Sequence, residues 1–394
     1  MEVAKLKTTT LAAVTQEVQT WEQLIRNKNS RIKTYKSETR QIRDFLEQND
    51  HDSDQRLFYA HAGVHTGESL ITIADGFAAN LANATVIPDY VHVVTEDGCT
   101  LVERFGSFTT YPKWMASYGS YFGFNKETDD FSGPYHKELE ARLRSPVTQT
   151  TLAQPVFLVS NCKNDKVYGH FLLQIMPNIF RCREFLASYR PPLVFTYQPS
   201  AWQIDIMVTL FPWIHDFTIL ICQRPTKFAS LLIPVNIDEP HMDQEFFNFL
   251  RQTKEHESSA STKNIYITRN DASSRRLINE SSLLSYLARY EYTAFNMSNL
   301  TFEAEISLFK SARKVICISG SHCVNAVFCL QPTKFGVIQS FQTILSARFL
   351  LNNFGIRNCE YNIRDKPFKA LMTNGDFEIV IPDFIDFLAK NEFL

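Results

Sequence analysis

Between Asn264 and Ile338 short β-branched runs alternate with helical stretches, and no other feature limits the fold of this chain so strongly. The runs Asn264-Ile265-Tyr266-Ile267-Thr268, Tyr292 to Phe295, Lys314 to Ile318 and Phe335-Gly336-Val337-Ile338 read as strands. Glu280 to Tyr290, Phe302 to Ala312 and a stretch starting near Asn325 read as helices. Strands that return through helices lie parallel and are covered on both faces, so the order predicts a Rossmann-like half. Upstream, Val91 to Val94, Val156 to Ser160, Pro192 to Thr196 and Phe217 to Ile221 are further strand candidates, and a helical stretch runs from Gly169 through Arg181. A second unit of the same α/β kind is expected there, and the polar, Ser-rich segment Lys254 to Lys263 reads as the linker between the two.

The N-terminus follows another rule. Val14, Val18, Trp21, Ile25, Ile32, Tyr35, Ile42 and Leu46 fall on an alternating four-three spacing with no Gly or Pro between them, which predicts one long α-helix over 14–47. Two readings fit it: a coiled-coil arm for self-association, or an amphipathic helix packed on its own globular body. The polar run Asn49 to Asp54 closes this element. The expected organisation is a helical arm at 1–50, a Rossmann-like domain at 51–253 and a second one at 254–394, ending in a helix from Phe384 to Phe393.

Composition removes several classes of function. Apolar residues make up 44% and charged residues 21%, which suits a folded globular chain. Lys plus Arg number 40 against 42 for Asp plus Glu, so no global field draws nucleic acid or an anionic bilayer, and any anion site has to be local. No apolar stretch reaches the roughly 18 residues of a membrane span, and Met1 to Thr10 lacks the apolar core of a secretory signal. A cytoplasmic address is therefore expected, with the inner face of the membrane as the alternative. The eight Cys include no Cys-x-x-Cys pair and read as reduced core thiols, Cys317, Cys323 and Cys329 among them. Asp52-Ser53-Asp54 lies in a polar linker rather than after a buried strand, so no metal is expected there.

Two stretches can carry chemistry. Arg269, Arg275 and Arg276 follow the strand ending at Thr268, at the carboxyl edge where open α/β sheets bind ligands. A guanidinium fork matches phosphate oxygens, so Arg269 with Arg275 or Arg276 could clamp a diphosphate; the competing reading is a solvated charge run paired with Asp271 and Glu280. The second stretch, Ser319-Gly320-Ser321-His322-Cys323-Val324-Asn325, follows the strand ending at Ile318. Small residues there let backbone N–H groups approach an anion or a sugar, although an ordinary strand-to-helix turn reads the same way. It is neither a Walker A loop nor a GxGxxG fingerprint.

These residues together resemble glycosyltransferase family 61, and within it the transferases of capsule and surface polysaccharide. The family shows a strand ending in Arg, a second Arg and then Asn-Glu, met here by Arg269, Arg275-Arg276, Asn279 and Glu280. Its His-Gly-Ala-Gly-Leu-x-Asn-x-x-Phe falls on Ser319 to Phe328, and its His-Phe-x-x-Asp-x-x-Pro falls on His170 to Pro177. The likeness spans roughly residues 165 to 340, with departures at Gln174, Ala304 and Ser319.

The resemblance implies a GT-B architecture, two Rossmann-like domains facing a cleft. It also implies inverting, metal-independent transfer from a nucleotide-diphosphate sugar, a UDP-sugar being the expected donor, to a glycan acceptor, without a further cofactor. Arg269, Arg275, Arg276, Asn279, Glu280, Ser319, Gly320, Ser321, His322 and Asn325 are the implied donor-binding residues. His170 is the first candidate for the base, since histidine titrates near neutral pH; Asp165 and His322 stand in reserve, and a structural role for His170 fits the sequence equally. The departures from the pattern motivate one alternative, a non-catalytic nucleotide-sugar or glycan-binding subunit. A nucleotide-sugar epimerase of the same architecture is the other.

Overall fold

A computed structural model describes residues 147–160, 166–234, 244–253, 263–330, 332–339, 350–352, 354–363 and 375–394, with short strands at 8–10, 15–19, 37–40, 71–74, 78–87, 92–94, 124–125, 130–131 and 368–370. The chain divides into two compact units whose boundary falls between Phe246 and Phe247.

The first unit is built on a mixed sheet. Val156–Leu158, Leu193–Phe195 and Ile219–Ile221 lie parallel in that order, and the long strand Thr226–Pro234 adds parallel on the other side of Val156–Leu158. Counted along the chain this is the order 3-2-1-4, the Rossmann arrangement with its reversal beside the first strand. Thr226–Pro234 also pairs antiparallel with Ala78–Ile87, which closes the parallel part with an antiparallel edge. Burial explains why these runs are strands: every residue of Val156–Leu158, Leu193–Phe195 and Ile219–Ile221 is inaccessible, as expected for strands covered on both faces. One of the two cores gathers Val156, Leu158, Val194, Leu220, Phe228 and Leu231.

The second unit is an all-parallel sheet of five strands: β1 (Lys263–Ile267), β2 (Tyr292–Phe295), β3 (Ala312–Ile318), β4 (Lys334–Gln339) and β5 (Arg357–Asn362), in the order β2-β1-β3-β4-β5. Connections run through α1 (Glu280–Leu287) and α2 (Phe302–Lys310), and the chain ends in α3 (Ile381–Lys390). Alternate side chains of the sheet separate by face. Tyr266, Ile316, Ile318, Ile338 and Tyr361 pack with Leu283 and Leu287 of α1 and Phe384 and Leu388 of α3. From the opposite face Phe335 stacks on Phe309 of α2. Gly336 serves this packing by size, because the ring of Phe393 comes within 3.2 Å of where a Cβ would stand. Tyr292 Oη donates to Phe393 O at 2.9 Å and fixes the end of the chain in the same core.

Two expectations need correction. The continuous helix expected over 14–47 is absent from its described residues: Thr15–Gln19 and Ser37–Arg40 are strands, the first paired antiparallel with Val147–Thr150. A four-three apolar spacing is local evidence, and pairing to a partner strand overrides it; the rest of that span lies outside the described residues, as do Asp52, Asp54 and Asp165. The helix expected near Asn325 is instead a 3₁₀ helix, Ser321–Phe328, that begins directly after the turn. The α/β class itself is as expected, with a mixed sheet in the first unit that is compatible with a Rossmann-like fold, and among the described residues no helix is long and apolar enough to cross a membrane.

Candidate functional site

The strand order of the second unit locates its ligand edge. The sequence of connections reverses between β1 and β3, so the loops leaving these two strands run in opposite directions, and this switch point is where open α/β sheets bind ligands. Arg269 stands just beyond β1, and Ser319-Gly320 just beyond β3. Of all the loops in this sheet, these two carry the residues that the sequence singled out.

The guanidinium of Arg269 lies against Gly320. A Cβ built on Gly320 would fall on Arg269 Nη1, with Cζ at 3.2 Å and His322 Cε1 at 3.3 Å. The backbone of Gly320 is extended, at φ 177°, so glycine is required here for space and not for conformation. Arg269 Nη2 donates to Ser274 O at 3.3 Å, while its Nε is buried and has no hydrogen-bond partner among the described residues. Arg275 joins the group, its Nη1 reaching Ser319 O at 3.4 Å. Its backbone is left-handed, at φ 57°, a conformation that a Cβ makes costly and that functional sites retain.

Electrostatics give this pair its character. Burial and then the charge of Arg275 lower the pKa of Arg269, and burial lowers that of Arg275. Arginine stays protonated regardless, so the shifts report two positive charges held close together and partly out of water. Their described acceptors are neutral carbonyls. An anion with several oxygens would satisfy the spare Arg269 Nε donor and offset the repulsion together.

Four other residues expected at the donor site also have structural partners. Arg276 Nε and Nη2 donate to Asp376 Oδ2 at 2.9 and 2.7 Å, and its backbone N–H donates to Oδ1 at 2.9 Å; Asp376 is wholly buried. Asn279 receives Ile379 N and donates to Ile379 O, mimicking a strand partner for Phe377–Ile379. Glu280 accepts from Tyr266 Oη at 2.9 Å and Thr268 Oγ1 at 2.6 Å, tying the start of α1 to the end of β1. Burial and Glu280 push the Tyr266 hydroxyl well above its ordinary range. Asn325 is likewise buried and donates to Glu305 Oε2 at 2.8 Å, joining the 3₁₀ helix to α2. These four hold the loops that present Arg269, Arg275 and Gly320. Ser321 opens the 3₁₀ helix beside them.

One grouping escaped the sequence reading. Cys317, near the end of β3, and Cys323, in the 3₁₀ helix, bring their sulfurs to 3.8 Å because the Ser319-Gly320 turn folds the chain back on itself. A ring nitrogen of His322 lies within 4.8 Å of both. The contact with Cys323 and burial raise the pKa of Cys317 well above the usual thiol range, whereas Cys317 and His322 hold that of Cys323 well below it. Spacing alone does not reveal this meeting, since the five residues between the two Cys span a strand end and a turn of unknown direction.

His170 belongs to the first unit. It follows the loop leaving Val156–Leu158, the strand beside that unit's own reversal point. His170 sits at the join of the helical turn Tyr168–His170 and the π-helix Phe171–Ile175, a local expansion that recurs at functional sites. Trp202 anchors this turn by ring contacts to Tyr168 and Phe171. His170 Nδ1 lies 3.1 Å from Gln174 Oε1, one turn on. With the ring proton on Nδ1, that contact is a hydrogen bond and Nε2 carries the basic lone pair.

Residues 168–336 match the family model described as Glycosyltransferase 61. The matched stretch begins at the turn that carries His170 and contains Arg269, Arg275 and the Ser319-Gly320 turn. It supports glycosyltransferase activity in general. No curated protein matches the chain.

Proposed function

We propose that the chain is an inverting glycosyltransferase that moves a sugar from a nucleotide-diphosphate donor to a glycan acceptor. The observation that carries this reading is the Arg269–Arg275 pair, two crowded guanidiniums with a spare buried donor at the reversal point of a parallel sheet.

In this reading the donor's diphosphate lies across Arg269 and Arg275. As an acceptor hydroxyl attacks the anomeric carbon, the glycosidic C–O bond breaks and charge accumulates on the departing phosphate oxygens. Donors already in place for that charge lower the barrier without reorganising. Guanidinium groups thereby do the work that a divalent cation does in metal-dependent transferases. His170 Nε2 takes the acceptor proton, and Gln174 keeps the ring in the competent tautomer. The same proposal takes a GT-B arrangement, with 51–253 on the acceptor side and 254–394 on the donor side, a UDP-sugar as donor and surface or capsular polysaccharide as product, made in the cytoplasm.

A second reading has one observation behind it: Gln174 cannot stabilise an imidazolium as a carboxylate would. A binding subunit without transfer fits that difference. Calorimetric titration with UDP-, GDP- and CMP-sugars, followed by donor turnover over a glycan panel, separates the readings. The transferase binds one nucleotide class and yields a product of inverted anomeric configuration by NMR. Binding without transfer supports the subunit, donor conversion without acceptor supports an epimerase, and no nucleotide binding refutes all three.

A further inference from the structure

The donor reading leaves Cys317 and Cys323, which meet beside His322, without a task. Both Cys are buried, their sulfurs stand 3.8 Å apart, and a ring nitrogen of His322 completes a set whose ligand atoms all lie within 4.8 Å of one another. Among the described residues, the buried His322 Nε2 meets no nitrogen or oxygen partner. Zinc binds thiolate sulfur at about 2.3 Å in tetrahedral geometry, which separates two such sulfurs by about 3.8 Å. The observed pair already has that separation.

We propose that Cys317, Cys323 and His322 bind a zinc ion through two thiolates and one imidazole nitrogen. Both sulfurs bind as thiolates, any thiol proton leaving to solvent, so that Zn²⁺ and two thiolates carry no net charge. Such a centre lies close to Arg269, on which both sulfurs act electrostatically, without adding to the repulsion between the arginines. Sulfur and imidazole exclude magnesium and calcium, which take oxygen ligands. Three protein ligands leave the fourth tetrahedral position open, as in zinc sites that keep an exchangeable ligand. The ion would pin the end of β3 to the 3₁₀ helix across the very turn on which Arg269 rests. Cys329, the third Cys of the series, lies outside the cluster.

The test needs no sugar donor, so its outcome is independent of the transferase reading. The full chain is loaded with zinc under reducing conditions, desalted and analysed by plasma emission; a parallel sample is loaded with cobalt(II). One retained zinc per chain is expected, with thiolate-to-cobalt charge transfer and tetrahedral ligand-field absorption. Cys317→Ser should lose the metal and Cys329→Ser should keep it. If Cys317→Ser does not fold by circular dichroism, His322→Ala serves, with zinc affinity at least tenfold weaker against a chromogenic chelator. Failure of the wild type to retain zinc overturns the proposal. So does retention unchanged in both Cys317→Ser and His322→Ala, or a Cys317–Cys323 disulfide, seen by mass as the loss of two hydrogens, in protein kept from oxidants.

Discussion

The guanidinium of Arg269 occupies the place where a side chain on Gly320 would stand. Because the glycine backbone is extended, alanine fits its conformation and conflicts chiefly with the arginine head, the movable end of a flexible side chain, and presses more lightly on His322 Cε1 at 3.3 Å. Gly320→Ala should therefore fold with nearly the wild-type melting temperature while pushing Arg269 off its position. Arg269→Ala removes a charge-assisted hydrogen bond to the donor, about 1.5–3 kcal/mol or roughly ten- to hundredfold in affinity. Titration with a nucleoside diphosphate should show Gly320→Ala losing a comparable amount. Unchanged affinity in both variants would remove Arg269 from the donor site.

Arg275 offers a separation of stability from binding. Its left-handed backbone costs about 1 kcal/mol for a residue with a Cβ and almost nothing for glycine. Removing its charge also relieves Arg269. Arg275→Gly should thus fold at least as stably as the wild type in urea unfolding, yet bind the nucleoside diphosphate at least tenfold more weakly. A destabilised variant with intact binding would assign Arg275 to the fold.

Arg276 should behave in the opposite way. Its bonds to the buried Asp376 join the loop after β1 to the segment entering Phe377–Ile379, where Leu277 and Phe377 bridge in parallel. Arg276→Ala leaves a wholly buried carboxylate without its cation and should lower the melting temperature by several degrees. Donor affinity, measured well below that temperature, should stay within about twofold. A loss as large as that of Arg269→Ala would return Arg276 to the diphosphate clamp.

Strand positions in the second unit were legible because β1, β3 and β4 are buried on both faces, and near-continuous β-branched runs have few other uses. Roles at the site were less so. Arg276, Asn279 and Glu280 stand in one motif with Arg269 and Arg275, and sequence gives all five the same appearance. What divides them is partner identity, and the partners of Arg276 and Asn279 lie 100 residues away at Asp376 and Ile379. The thiol pair was hidden for a related reason: the direction of the turn at Gly320 decides whether Cys317 and Cys323 meet. In the first unit the expected helix over 169–181 is present, but its π-turn, which sets the His170–Gln174 contact, has no periodic signature.

Burial of Cys222 predicts a pH effect on stability. Desolvation raises the thiol from 9.0 to about 12 in the folded chain, against hydrogen bonds with Thr226 and Arg224 that act in the other direction. Between those values the unfolded thiol has released its proton and the folded one has not, so the stabilisation is complete below pH 9 and is lost as pH rises towards 12. Tyr266 adds to the same decline from about pH 10 upward. Urea midpoints should fall steadily above pH 9, and Cys222→Ala should flatten the first part of that fall. A variant whose slope matches the wild type would place the alkaline lability elsewhere.

The contact between His170 and Gln174 supplies the sharpest test of transfer itself. A base that acts only in the chemical step should be separable from donor binding, so His170→Ala should retain nucleotide affinity and lose at least a hundredfold in kcat. Gln174→Asp places a carboxylate on the side of Nδ1 now faced by Gln174 Oε1 at 3.1 Å, one methylene further back. A neighbouring negative charge favours imidazolium, so more alkaline solution is needed to free the base. The acid limb of the kcat/KM profile should then move to higher pH by about one unit, with donor affinity unchanged. If Gln174→Asp leaves the profile in place while His170→Ala abolishes turnover, His170 holds the helix turn together and another group takes the proton.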